Sequence, residues 1–126
     1  MPGRIRIRAG GVSVTASLND SATAEALWEA LPLSGTANRW GEEIYFAVPF
    51  TAETEPTARA DMSVGEIAYW PPGRAFCIFF GPTPASTTDQ PRAASEVNPL
   101  GFIEGDAAVM GTVPEGEQVF IERVEE

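Results

Sequence analysis

A chain of 126 residues with 44% hydrophobic content excludes a wholly disordered chain and fits one globular domain over 1–126, with no second domain expected. A formal charge of -10 excludes nucleic acid as an expected partner, because phosphate binding needs clustered cations. All eight basic residues are arginine, and the absence of lysine and histidine removes Schiff-base chemistry, a phosphate-loop lysine and the commonest general base and metal ligand.

The chain opens on RIRIR at 4–8, a period of two that sets Ile5 and Ile7 on one strand face and three arginines on a solvated one, where they also guard an edge. This alternation stands where a secretory signal would have an unbroken apolar core. No later run approaches the roughly 20 apolar residues of a membrane span. A cytoplasmic protein without membrane contact is expected. Gly10-Gly11 turns the chain into a second strand carrying Val12, Val14, Ala16 and Leu18. Asn19-Asp20-Ser21 caps a helix over about 21–31, whose apolar stripe is Ala24, Leu27, Trp28 and Leu31 and which Pro32 ends. Residues 33–38 form a weaker strand. After a break at Trp40-Gly41, residues 43–50 place Ile44, Phe46, Val48 and Phe50 on one face. Glu42 and Glu43 are neighbours on a strand and point apart, so they form no acid/base dyad. Glu43 and Tyr45 share the face opposite the apolar row and form a polar pair suited to lining a cleft.

Residues 51–60, TAETEPTARA, are polar and aperiodic and read as a mobile loop. The central feature follows: residues 66–70 and 75–80 are two strands, joined by Pro71-Pro72-Gly73-Arg74 as a type II turn with Gly73 at positive φ. The second strand is apolar throughout and is expected to be covered on both faces. Cys77 lies within it. As the only cysteine it makes no intramolecular disulfide, which suits a reducing compartment, and it reads as a small buried hydrophobe. Residues 84–96 form a second long loop, 97–106 a short strand, 107–113 one helical turn, and 117–124 a terminal strand suited to pairing with the first. About eight short strands, one main helix and room for a second short helical turn compose a mainly β protein. A closed antiparallel barrel capped by the helix is its natural form.

The runs WGEEIYF, GEIAYWPPGRAFCIFFGPTP and VNPLGFIEGD resemble the cyclophilin-like domain family of small prokaryotic proteins, and the similarity extends from TAEALWEALPLSG to the last strand. The resemblance implies a cyclophilin-type β-barrel with no established activity. Prolyl isomerases of that fold hold proline in an apolar pocket beside an arginine, which lowers a rotation barrier of about 18 to 20 kcal/mol. Arg39 falls where that arginine falls, and Phe76, Ile78 and Phe79 resemble the pocket-walling strand. The pocket histidine, the tryptophan loop and the Phe-Met-x-Gln motif of those enzymes have no counterpart here.

The function expected is non-catalytic binding of a small molecule or peptide, with no cofactor and no metal. The candidate cleft is edged by Arg39, Trp40, Glu43, Tyr45, Tyr69, Phe80, Thr83, Ser86 and Asn98. Two alternatives remain: a peptidyl-prolyl isomerase, if Arg39 points into an apolar pocket, and a homo-oligomeric interaction module, such as a homodimer joined by an exposed aromatic patch.

Overall fold

A computed structural model describes residues 3–124. Its strands are β1 (Arg4–Ala9), β2 (Val12–Leu18), β3 (Leu33–Thr36), β4 (Asn38–Arg39), β5 (Glu43–Ala47), β6 (Arg59–Asp61), β7 (Glu66–Trp70), β8 (Ala75–Phe79), β9 (Arg92–Glu104) and β10 (Gln118–Arg123). The helix α1 (Ala22–Ala30) is capped by Ser21, whose hydroxyl accepts from Ala24 N at 3.1 Å. The expected helical turn after β9 is a 3-10 helix over Ala107–Thr112, capped by Asp106.

All pairings are antiparallel, and nine strands follow in the order β3-β10-β1-β2-β9-β7-β8-β5-β4, with β6 attached to β9. The terminal strand pairs with the first, as the alternation suggests, so β1 is an interior strand rather than an edge. Ten strands replace the expected eight, and the sheet is not closed. Its end strands β3 and β4 are not paired with each other among the described residues. One residue, Ala37, separates them along the chain, so covalent backbone bridges the seam that a hydrogen-bonded ladder would close. The seam is held by the 115–117 turn: Ala37 N donates to Glu117 O at 2.8 Å, and Gly116 N donates to Ala37 O at 2.8 Å.

The hairpin at the centre of the chain forms, but its turn differs from expectation. Pro71–Gly73 is a 3-10 turn, and Arg74, not Gly73, takes the left-handed conformation (φ 47). Every residue of β8 is buried because both faces are covered. Phe76 and Ile78 face the main core with Ile7, Leu27, Ile67 and Ile121, onto which α1 packs. Ala75, Cys77 and Phe79 face a second cluster with Met62, Ala68, Ala93 and Val97.

The second cluster exists because β9 is longer than the sequence suggests. Its second half pairs with β2 and β7, while its first half pairs with β6 and lies over the outer face of β7 and β8. The change of course falls at a bulge, where Ile67 opposes Gly101 and Ala68 opposes Pro99. Gly101 has φ 152, and a Cβ there would lie 1.9 Å from Ser17 O, so only glycine lets the two strands approach. The 51–60 segment is also not a free loop: Asn98, fully buried, accepts from Glu55 N at 2.9 Å and donates to Glu53 O at 2.9 Å.

Candidate functional site

Between the outer face of β5, β7 and β8 and the first half of β9 lies a cavity of about 230 Å³, lined by Trp40, Glu43, Tyr45, Trp70, Cys77, Ala93, Ala94 and Val97. Strand period brings these groups together. Glu43 and Tyr45 alternate with the core residues Ile44 and Phe46, and Tyr45 stands opposite Cys77 in the ladder. Trp40 enters from the turn between β4 and β5, where its N–H donates to Glu43 O at 3.0 Å. That turn needs Gly41, which has φ +61 and sits so close to the 82–84 segment that a Cβ would fall 2.9 Å from Thr83 Cα. Trp70 is fixed by its indole N–H, which donates to Ser95 Oγ at 2.7 Å.

Glu43 is the cavity's ionisable centre. It is 6% exposed, and among the described residues no ion pair reaches it. Burial raises its carboxyl from 4.5 to about 7, opposed slightly by a hydrogen bond from the Cys77 thiol. The single S–H has two acceptors within reach, this carboxylate and Ala75 O at 3.8 Å. Burial, followed by the neighbouring Glu43 charge, pushes the thiol well above its usual range, so Cys77 is not a nucleophile at neutral pH. The chain's other buried acid, Glu66, is treated differently: both its oxygens accept from the Arg59 guanidinium.

Of the nine residues expected at a cleft, Trp40, Glu43 and Tyr45 converge here. The other six have structural positions. The Arg39 guanidinium donates to Val113 O at 2.8 Å and Gly111 O at 3.2 Å and lies 5.2 Å over the Phe80 ring, tying the 107–112 helix to the β4–β5 turn. Phe80 is buried beneath it. Tyr69 faces the main core, stacked on Phe50 at 5.3 Å, with its hydroxyl donating to Phe50 O and accepting from Ala52 N, each at 3.2 Å. Asn98 holds the 53–55 segment and donates to Thr23 Oγ1 at 3.0 Å. Thr83 and Ser86 brace one loop, Thr83 N donating to Ser86 Oγ at 2.9 Å and Thr83 Oγ1 donating to Arg92 O, and so anchor the start of the strand that roofs the cavity.

Trp70, Cys77, Ala93, Ala94 and Val97 complete the walls without having been expected there. Trp70 and Cys77 sit one residue out of phase with core positions in their strands, which was a readable signal. The alanines and Val97 carried none, because nothing local shows that β9 crosses the outer face. Among the described residues no group of three acidic, Cys or His side chains could hold a metal ion, and no helix is long and apolar enough to cross a membrane.

This architecture matches a known one. The cyclophilin-like family model matches residues 3–122. The chain belongs to the cyclophilin-like family. Among solved structures, the solution structure of a hypothetical protein from Archaeoglobus fulgidus is similar to this cyclophilin-like protein at 38% identity, covering 98% of this chain and 95% of that one, with a TM-score of 0.82. No curated protein matches the chain.

Proposed function

We propose that this cyclophilin-like protein binds a small molecule, or a single side chain of a peptide, in the cavity between Trp40, Tyr45 and Trp70, without transforming it. The observation that supports this reading is Glu43, a carboxyl 6% exposed among apolar walls with no ion pair among the described residues. A buried acid that only stabilised the fold would be paired, as Glu66 is by Arg59. One oriented polar group among aromatics is what specific small-ligand sites contain. At about 230 Å³ the cavity falls below the roughly 300–1,000 Å³ of sites for drug-sized ligands, which favours a compact ligand.

Prolyl isomerisation has less behind it. That chemistry needs a guanidinium facing the apolar pocket, and Arg39 is occupied by three carbonyls, the Glu42 carboxylate and the Phe80 face outside the cavity. An assembly role has only scattered support: among the described residues the exposed large apolar side chains are Val64, Phe102, Val109 and Phe120, each on a different segment of the chain. A cytoplasmic setting suits the unpaired Cys77.

The test is a titration of isotope-labelled protein with a library of small fragments, following the indole resonances of Trp40 and Trp70. Binders are expected to shift both, and Trp40→Ala is expected to weaken them about tenfold or more. Fragments that perturb neither indole, or that bind Trp40→Ala as well as the parent, would sink the reading.

A further inference from the structure

We infer that the cavity selects a methylated ammonium group, a tertiary or quaternary organic cation, with Glu43 as its counter-ion and Trp40, Tyr45 and Trp70 as its aromatic walls. The inference rests on the small-molecule reading above and adds the chemical class of the ligand. Three observations converge on it.

The first is charge. Glu43 and Glu66 are both buried carboxylates, and among the described residues a bidentate guanidinium meets Glu66 and no cation meets Glu43. The missing positive charge is therefore left for a ligand to bring. The second is the nature of the walls. Three of eight lining residues are aromatic, and aromatic rings around an anionic group favour a cation whose charge is spread over methyl groups. The third is a shortage of acceptors. A primary ammonium carries three N–H donors, whereas the lining side chains offer it little beyond the Glu43 oxygens and the Tyr45 hydroxyl. The Trp70 indole is a donor and already bonded to Ser95. A methylated ammonium has few donors or none to satisfy, so its methyl groups can pack against Ala93, Ala94 and Val97 without leaving an N–H unpaired. The formal charge of -10 adds a long-range attraction for any cation approaching the site.

The groups facing Glu43 leave little to confuse a pH experiment. Tyr45 on its own strand and Cys77 on β8 are the other titratable residues lining the cavity. Trp40, Trp70 on β7, and Ala93, Ala94 and Val97 on β9 carry no charge. The thiol stays protonated well above neutrality.

Calorimetry with two probes of one shape separates the possibilities: choline, and its uncharged carbon analogue 3,3-dimethylbutan-1-ol. At about pH 8 choline is expected to bind at least tenfold more tightly than the alcohol. Glu43→Gln should remove that preference, so that choline and the alcohol bind the variant about equally. Because Glu43 titrates near 7, lowering the pH from about 8 to about 6 should cost wild type roughly tenfold in choline affinity and Glu43→Gln nothing. Equal affinity of the two probes for wild type, with indole shifts at Trp40 and Trp70, overturns the ammonium inference and leaves the small-molecule reading standing. Binding of neither overturns the inference, and the fragment titration then decides the reading on its own.

Discussion

A carboxyl group held among apolar side chains resists ionisation, and at Glu43 that resistance has a measurable price in stability. Its ordinary value of 4.5 is raised to about 7 by folding, so the native chain keeps a proton that the unfolded chain releases between those values. The destabilising effect is absent below about pH 4.5, grows as the pH climbs, and levels off above 7. A proton held across each pH unit of that interval is worth about 1.4 kcal/mol, so the effect is capped at about 3 kcal/mol. Glu43→Gln should therefore raise the urea midpoint at pH 8 and converge with wild type at pH 4, and unchanged stability at pH 8 would show that the carboxylate is well solvated. The pairing of Glu43 with Tyr45 was legible in the sequence because it needs only the two-residue period of one strand. Arg39 was not legible in the same way. Besides its near neighbours Gly41 and Glu42 it reaches Gly111 and Val113, far along the chain, and no local pattern shows that a guanidinium will meet those carbonyls rather than a pocket.

At the level of elements, two segments were misread, each for its own physical reason. Residues 51–60 lack periodicity because much of their backbone is satisfied by side chains from elsewhere: Asn98 takes Glu55 N and Glu53 O, and Tyr69 takes Ala52 N. Thr23 adds a further tie, its N–H and hydroxyl donating to Glu55. A segment held this way looks the same in sequence as one held by nothing. Asn98→Ala removes the hub of this network and leaves Glu55 N without its acceptor, a loss on the order of 3 kcal/mol. Hydrogen exchange should then quicken at Glu55 more than in the β1–β2 ladder, and an amide that stays protected there would refute the anchoring role. The first half of β9 was hidden for a different reason. Arg92-Ala93-Ala94-Ser95-Glu96 has little intrinsic β preference, and it is a strand because β6 and the outer cluster hold it there. The central hairpin and α1, by contrast, carry their own turn and cap residues, and both were legible.

Across the whole molecule, three strands are clamped at one point. Glu104 on β9 accepts from the Arg4 guanidinium on β1, with contacts of 2.8 and 3.1 Å, and from the Ser17 hydroxyl on β2. Arg4 first, and then Ser17, lowers the Glu104 carboxyl from 4.5 to about 2. This contribution is present above about pH 4.5 and is lost as the pH falls toward 2, the opposite sense to Glu43, so these two groups together place greatest stability near pH 4.5. Glu104→Gln should lower the urea midpoint at pH 6 by an amount that shrinks as the pH falls toward 2, whereas a deficit undiminished at pH 2 would mean that packing rather than charge is at work. The sheet's overall course was readable in outline, since the pairing of first and last strands follows from their matching alternation. The open seam was not, because one alanine decides whether the edges meet by hydrogen bonds or by chain. Among the described residues the end strands are short, four residues in β3 and two in β4, and β6 is three residues long. Among the described residues the strands that end the sheet are thus too short to offer an incoming extended peptide a long row of amides to pair with as an added strand.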